Sequence, residues 1–486
     1  MSLAQKAGQA GALMLFRKGW SALISFGVMA YLARVLAKED FGIVAISATL
    51  IGLVQVVAIS GISEYLIFYK GEDEKKVINA GFWLNLVATT AVSIAVIVAT
   101  PYWTAFYGDE RISSILYMLL IGFFFSMLSA IPMALFRKNL DYKPMILIQT
   151  IFGTLSNVSQ IGFAYYGFGV YSLALPNAII TPVMTIVLFW RSGFFPQQQW
   201  GLAYWKNIFQ YTKHVIGQRV LGKLVNEGDT LIIGKFFGMQ VLGVYNLAFQ
   251  FANLFTGHLL PIITNISMPV FAKNNDRPDL VTFHYHKMVR LITYITVPVI
   301  TLMIMNAEFL ITTIYGEKWI EAVLPFQILS IFVMVRSIGS PTSGLYNAMG
   351  KPQIGLYFTV VFTPIFLITI YTASLFNDLL MLVVMISALR VLGSFTHFIL
   401  AAKLLGDKLM AVIRIMFPVF ASTGIAFGSV LFIPKVPEWY LVVRILLFIL
   451  VSWLSLKFIW RKQLSLFLKD VFAMLPVRFQ KWMPSV

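Results

Sequence analysis

Three basic residues and one acidic residue share a face of one strongly apolar segment: Lys213, Arg219, Lys223 and Glu227. At about 100° per residue, their side chains project within roughly 120° of each other on a helix. If the segment crosses a membrane, each charge costs roughly 2.5 to 3.5 kcal/mol near the bilayer centre, so this face must meet water or another helix. Cationic side chains in such a place bind phosphate or carboxylate oxygens through charge-assisted hydrogen bonds. The pattern therefore predicts a binding site for an anionic ligand.

Other cations extend this candidate site. Arg219, Arg336 and Arg390 lie inside apolar segments and have no acidic residue at helical spacing in those segments. This spacing favours contact with a ligand over an internal ion pair. The predicted substrate-binding cations are Arg17, Lys18, Lys213, Arg219, Lys223, Arg336 and Arg390.

Some of these cations also suit structural roles. Lys223 and Glu227 have the i,i+4 spacing of a helical ion pair. Arg17 and Lys18 suit a cytoplasmic anchor at the start of a helix. Lys213 is close enough to a helix end for its ammonium group to reach the interface. The residue types alone leave these alternatives open.

Acidic residues in or beside the apolar segments are candidates for ion coupling or for charge balance. They are Glu64, Glu227 and Asp229. Glu64 lies near the end of its segment, where an interfacial role is more common. The chain has no cysteine and five histidines, and their spacing matches no zinc motif. The sequence predicts neither a metal nor a cofactor.

The elements that carry these residues must be membrane helices. Of 486 residues, 59% are hydrophobic and 12% are charged, whereas soluble proteins are about half apolar and a quarter charged. At roughly 20 apolar residues per crossing, the chain has room for about fourteen helices and for no large catalytic domain in water. The net charge of +17 does not indicate nucleic acid, because most basic residues punctuate the apolar segments. The composition predicts an all-α polytopic membrane protein.

The predicted crossings are separated by charged residues, glycine and proline. They are Leu13–Leu36, Phe41–Leu66, Val77–Thr100, Ile112–Leu135, Met145–Tyr166, Val170–Trp190, Ile208–Phe237, Leu242–Val270, Met288–Tyr315, Val323–Met349, Ile354–Leu375, Leu379–Leu405, Met410–Ile433 and Trp439–Trp460. Lysine and arginine are several-fold more frequent at one set of alternating ends, which predicts that both termini lie in the cytoplasm. The basic segment Arg461–Val486 has apolar residues at helical spacing, which predicts an amphipathic helix along the cytoplasmic interface.

A short repeat indicates two halves. Arg34 stands eight residues before Gly42, and Lys235 stands eight residues before Gly243. Each glycine lies between two apolar residues and opens the next helix. Transporter repeats show themselves at such corresponding positions. Both hairpins follow odd-numbered helices, so the sequence predicts parallel repeats related by an axis along the membrane normal.

Four short motifs follow one another at corresponding hairpins. They lie within Leu32–Gly42, Asp229–Ala248, Tyr315–Ala322 and Ala348–Pro352. Together they resemble the Wzx-type polysaccharide flippases of the multidrug/oligosaccharidyl-lipid/polysaccharide superfamily, and the resemblance covers essentially the whole chain.

This resemblance implies two pseudo-symmetric six-helix lobes in a V, followed by two further helices. The expected lobes are residues 1–207 and 208–405, with the two extra helices in 406–460 and the basic amphipathic tail in 461–486. The resemblance also implies translocation of an undecaprenyl-diphosphate-linked oligosaccharide, by alternating access through a cationic central cavity. The substrate would move from the cytoplasmic to the periplasmic leaflet of a bacterial inner membrane. Membrane lipids and a polysaccharide polymerase with its chain-length machinery are the expected partners.

Three other functions compete with this interpretation. A multidrug exporter of the same superfamily is expected to place carboxylates in its cavity, whereas the interior charges here are mainly basic. A glycosyltransferase or ligase needs acidic catalytic residues or a large extracytoplasmic loop, and the predicted periplasmic connections are short. We therefore expect no enzymatic activity. A flippase for the peptidoglycan precursor is compatible with the composition and stays open.

Overall fold

The computed structural model of the protein describes residues 3–59, 62–69, 71–197, 200–431 and 440–472. Seventeen α-helices and one 3₁₀ helix, Glu317–Ala322, form the regular structure of these residues, and no strand occurs among them. The α-helices are α1 (Leu3–Val35), α2 (Lys38–Ile59), α3 (Ile62–Phe68), α4 (Glu74–Tyr107), α5 (Arg111–Lys138), α6 (Tyr142–Tyr165), α7 (Tyr171–Ser192), α8 (Leu202–Lys273), α9 (Pro278–Met305), α10 (Ala307–Tyr315), α11 (Val323–Ile338), α12 (Pro341–Ala348), α13 (Gln353–Ser374), α14 (Leu379–Leu405), α15 (Leu409–Leu431), α16 (Tyr440–Phe458) and α17 (Arg461–Phe472).

Each predicted crossing coincides with one helix, with part of α8, or with a pair of consecutive helices. Within the described part of the chain, ten helices are long and apolar enough to span a membrane, or eleven spans if the bent pair α16 and α17 counts as one. The protein is therefore an all-helical, multi-pass membrane protein. The count of fourteen stays a prediction. The difference lies in α1, α6, α16 and α8, of which α8 covers two predicted crossings.

Helix α8 is a 72-residue run with a sharp break at Gly238. The backbone angles of Gly238 are φ 82° and ψ 173°. Residues other than glycine essentially never adopt this combination of angles. The predicted boundary between the seventh and eighth crossings, after Phe237, falls at this glycine. The break allows one continuous helical run to contain two crossings.

The chain forms two compact units. The first unit contains Met1–Leu247 and Thr363–Leu379, and the second contains Ala248–Phe362 and Leu380–Val486. The lobe boundaries implied by the family resemblance stay predictions.

Within the first unit, the two repeated hairpins contact each other through their glycines. A Cβ atom at Gly42, in the first turns of α2, would overlap the backbone carbonyl of Met239. A Cβ atom at Gly243 would overlap the backbone carbonyl of Lys38. Met239 precedes Gly243 by four residues, and Lys38 precedes Gly42 by four residues, so the contact is reciprocal. The repeat seen in the sequence therefore marks a point where the backbones of α2 and α8 leave no room for a side chain.

An ion cluster connects the start of α2 with the start of α5. The guanidinium group of Arg111 donates to Asp109 at 2.8 Å and to Glu39 at 3.2 Å. Burial opposes ionisation of Asp109, but the hydrogen bonds from Arg111 outweigh it and lower the pKa of Asp109 below its ordinary value. The first turn of α2 is thus held in place beside its contact with α8.

The C-terminal helix α17 packs on α9 within the second unit. Its axis is bent by 106° from that of α16. The buried carboxylate of Asp470 accepts a hydrogen bond from Arg290 at 2.7 Å and lies 3.5 Å from Lys287, and Phe467 stacks on Tyr294. The described part of the predicted amphipathic tail is therefore a helix held by charge and ring contacts. The rest of the predicted tail, residues 473–486, lies outside the described residues.

Alanine at Gly42 or Gly243 should destabilise the protein, because the new methyl group would push apart two backbones. Overpacking of this kind costs about 1–3 kcal/mol. We expect a lower midpoint of thermal unfolding for each purified variant in detergent. Gly153→Ala is the matched control, because a Cβ atom there meets nothing within 4 Å and alanine favours a helix. An unchanged midpoint for Gly42→Ala would show that the contact tolerates a side chain.

Candidate functional site

The charged face of α8 lies against α2 and α3 in the first unit. Arg219 Nη2 donates to Glu64 Oε1 of α3 at 3.1 Å. Both side chains are close to half exposed, 46% and 41%. The second carboxylate oxygen of Glu64 is buried and has no hydrogen-bond partner among the described residues. The pair is thus a partly exposed ion pair joined through one carboxylate oxygen.

Helix α3 holds Glu64 in position through contacts on both sides of it. Ile62 and Leu66 are buried in an apolar cluster with residues of α4, α5 and the start of α8. Lys138 of α5 donates to the carbonyl oxygens of Leu66 and Tyr69 at 3.1 and 2.8 Å. This ammonium group satisfies the terminal carbonyls of α3, where a cation is also favoured by the helix dipole.

Lys223 lies one turn further along α8 and pairs with Glu227 through the carboxylate oxygen Oε1. This is the i,i+4 ion pair that the sequence left as an alternative. Gly52 of α2 faces the pair, and a Cβ atom there would lie 2.7 Å from Cε and 2.8 Å from Nζ of Lys223. Because Gly52 has no side chain, the end of the Lys223 side chain can lie against α2 at this position.

Asp229 and the bend of α8 are fixed by hydrogen bonds. The buried carboxylate of Asp229 accepts a hydrogen bond from the Tyr245 hydroxyl across the break at Gly238. The Tyr107 hydroxyl donates to the Leu231 carbonyl at 3.0 Å. These contacts hold the part of α8 that follows the two ion pairs.

The remaining cations predicted for the first unit lie elsewhere on its helices. Arg17 and Lys18 are half-buried on α1. The Nε atom of Arg17 is buried and has no hydrogen-bond partner among the described residues. Lys213 is on α8, but its side chain lies outside the described part of the chain. The ion partners of Arg219 and Lys223 are Glu64 and Glu227, so neither Arg17 nor Lys18 belongs to these pairs.

The second unit brings Arg336 and Arg390 to one aromatic ring. The guanidinium carbon of Arg336, on α11, lies 5.0 Å from the ring centre of Phe332, and that of Arg390, on α14, lies 5.1 Å from it. Arg390 also lies 5.6 Å from the ring centre of Phe249, and Arg336 donates to the side-chain oxygen of Asn253. Cation–π contact stabilises each guanidinium group while its N–H donors keep their ability to bind an anion.

Sequence reasoning identified the two arginines but missed the residues around them. Asn253 is a polar residue within the predicted crossing Leu242–Val270, and that polarity is the signal that could have found it. Phe332 and Phe249 give no such signal, because aromatic residues are common on apolar helices. The described residues contain no group of three or more histidine, aspartate or glutamate side chains suited to a metal ion.

The sequence profile of a polysaccharide biosynthesis protein family matches residues 31–324, which is more than half of the chain. The chain belongs to this family. The match confirms the family resemblance seen in the hairpin motifs. The first three motifs lie within the matched residues, and the fourth, Ala348–Pro352, lies beyond them.

Individual proteins of known name are similar to the chain at low sequence identity. The teichuronic acid biosynthesis protein TuaB of Bacillus subtilis is 24% identical over 284 residues, 57% of this chain and 58% of that protein. The lipopolysaccharide biosynthesis protein WzxC of Escherichia coli is 24% identical over 358 residues, 72% of each chain. The chain thus matches somewhat more than half the length of the first relative.

Solved structures share the fold of this family member. The lipid II flippase MurJ in an inward closed conformation aligns with a TM-score of 0.74 and 14% identity, over 94% of this chain and 99% of that chain. A MATE family transporter of the MOP superfamily aligns with a TM-score of 0.55 over 83% of this chain and 96% of that chain. At such identities the likeness concerns the fold alone.

Charge reversal should test the pairing of Arg219 with Glu64. Arg219→Glu places two carboxylates together and should lower the midpoint of thermal unfolding by a small amount, since like charges repel but both side chains are close to half exposed to water. Combining it with Glu64→Arg should recover most of the loss.

Lys143→Glu is the control for the change of net charge, because Lys143 is exposed. Equal midpoints for the single and the double reversal would exclude a direct pair.

Proposed function

We propose that the protein is a flippase for an oligosaccharide linked to undecaprenyl diphosphate. It moves this lipid from the cytoplasmic to the periplasmic leaflet of a bacterial inner membrane by alternating access through a cationic cavity. No covalent bond forms or breaks. Both termini lie in the cytoplasm, as the distribution of lysine and arginine predicts.

The observation that carries this proposal is the pair of arginines at Phe332. Two like charges, Arg336 and Arg390, are placed at one ring on two strongly hydrophobic helices. Charges in such helices are costly and mark ligand or ion pathways. Guanidinium groups suit phosphate oxygens because their planar N–H donors match them in pairs. A diphosphate offers enough charge to engage both.

Family membership supports the class of substrate. Two relatives are named for teichuronic acid and lipopolysaccharide biosynthesis. A third is named a succinoglycan biosynthesis transport protein. A carrier lipid with a diphosphate has the negative charge that the cations of each unit would bind. The sugar would stay in the aqueous part of the path, and the polyprenyl chain would stay in the bilayer, because each then keeps its preferred solvent.

Removing cations should stop export. We expect Arg336→Gln with Arg390→Gln to lower surface polysaccharide at least about tenfold in cells that carry the variant as their only copy. The estimate reflects the loss of two charge-assisted hydrogen-bonding groups, each of which contributes about 1.5–3 kcal/mol. The measurement is the amount of surface polysaccharide per cell at equal levels of membrane-inserted protein.

Lys75→Ala with Lys143→Ala is the matched control, since both lysines are exposed and the change of net charge is the same. Normal export by the arginine double variant would contradict the proposal. Loss of cationic-dye efflux with intact polysaccharide would instead indicate a multidrug exporter. Loss of peptidoglycan synthesis would indicate a flippase for the peptidoglycan precursor.

A further inference from the structure

The two ion pairs on α8 have a feature that a purely structural role does not require. Arg219 is paired with Glu64 and Lys223 with Glu227, each through one carboxylate oxygen. The other oxygen of Glu64 is buried without a hydrogen-bond partner among the described residues. Arginine and carboxylate can form two parallel hydrogen bonds, and this pair forms one. The carboxylates therefore neutralise the cations without using their full bonding capacity.

We propose that Glu64 and Glu227 are internal counter-ions, which the diphosphate of the substrate displaces from Arg219 and Lys223. This inference rests on the proposed function. In the empty protein each cation is neutralised by its carboxylate. In the loaded protein the phosphate oxygens take the place of the carboxylate oxygens.

The energetics favour such an exchange. Partly exposed ion pairs contribute little to stability, because water competes and the side chains lose freedom. Arg219 and Glu64 are 46% and 41% exposed, and Lys223 and Glu227 are each 28% exposed. A diphosphate carries more negative charge than one carboxylate and offers more acceptor oxygens, so it competes for both cations at once.

The local geometry leaves room for the exchange. Glu64 is on the seven-residue helix α3, whereas Arg219 is on α8, so their separation breaks no helical hydrogen bond. Lys223 and Glu227 are on one helix, so their separation needs only a change of side-chain rotamers. Gly52 presents no side chain to the lysine ammonium group. Both cations can therefore turn to a ligand while the helices stay folded.

The counter-ions give the transport cycle a neutral return step. A face that carries two uncompensated cations would be costly wherever lipid or apolar side chains surround it. After release of the diphosphate, Glu64 and Glu227 neutralise the face again. Each of these two pairs then carries no net charge while the empty protein changes conformation in the apolar layer. A ligand with a single negative charge would displace the carboxylates less well, which favours diphosphate carriers.

Binding of inorganic pyrophosphate to the purified full-length protein in detergent tests the exchange. The measurement is the Kd by isothermal titration calorimetry. Glu64→Gln and Glu227→Gln keep the shape of the side chain and remove the competing charge, so each should tighten binding about two- to fivefold. Arg219→Gln and Lys223→Gln should weaken it. Glu64→Asp restores the charge and should return the Kd close to that of the wild type.

Glu110→Gln is the matched control, because Glu110 is an exposed glutamate of the same unit, and it should leave the Kd unchanged. Thermal unfolding of each variant shows that it is folded. If Glu64→Gln does not fold, Glu227→Gln carries the test, since its partner is on the same helix.

The outcomes separate this inference from the proposed function. In one outcome, Glu64→Gln and Glu227→Gln leave the Kd unchanged or weaken binding, while Arg219→Gln weakens it. The glutamates are then not competitors of the phosphate, and the inference is wrong. If the Arg219 and Lys223 variants also bind pyrophosphate as the wild type does, this face is no phosphate site.

A second arm uses phosphatidylcholine vesicles that contain undecaprenyl diphosphate, with undecaprenol vesicles as the control. If Glu64→Gln and Glu227→Gln tighten binding to the undecaprenyl diphosphate vesicles but not to the undecaprenol vesicles, exchange by the carrier lipid is supported. Tightening with pyrophosphate but not with this lipid overturns it.

Discussion

The close approach of α2 to α8 is the constraint on which the first unit depends. At Gly42 and Gly243 the two backbones leave no space for a side chain. At Gly52 the space that a side chain would need is occupied by Cε and Nζ of Lys223. Helices that pack through glycine come closer than helices that pack through larger residues. Gly52 of α2 also faces Lys223, so the charged face of α8 meets α2 at this position. Arg219 and Lys223 find their ion partners on α3 and on α8 itself.

The two units solve the problem of cations in an apolar protein by different means. In the first unit, Arg219 and Lys223 are paired with carboxylates. In the second unit, Arg336 and Arg390 lie over Phe332, and an amide oxygen accepts from Arg336. Carboxylates neutralise charge, whereas aromatic rings and amides stabilise it without neutralising it. The two clusters thus differ in the groups that contact their cations: carboxylates in the first unit, and aromatic rings with an amide oxygen in the second.

The helices themselves were largely predictable, since apolar length sets the spacing of membrane crossings. The predicted crossing Leu379–Leu405 coincides with α14, and Met145–Tyr166 differs from α6 by a few residues. The breaks within crossings were missed. The ninth crossing is divided between α9 and α10 at Asn306, and the tenth between α11 and α12. Hydropathy averaged over a whole crossing does not detect such breaks, because each crossing as a whole stays apolar.

Composition and charge spacing by themselves determined that the chain is an all-helical membrane protein with cations on one face of α8, because residue type largely sets the cost of placing a side chain in lipid. The i,i+4 spacing also defined the pair of Lys223 with Glu227, since a helix brings such residues together without help from the rest of the fold. Only the tertiary structure decided that Glu64 meets Arg219 and that Phe332 meets both arginines. Such partners are far apart in the chain, and they become neighbours only when separate helices pack.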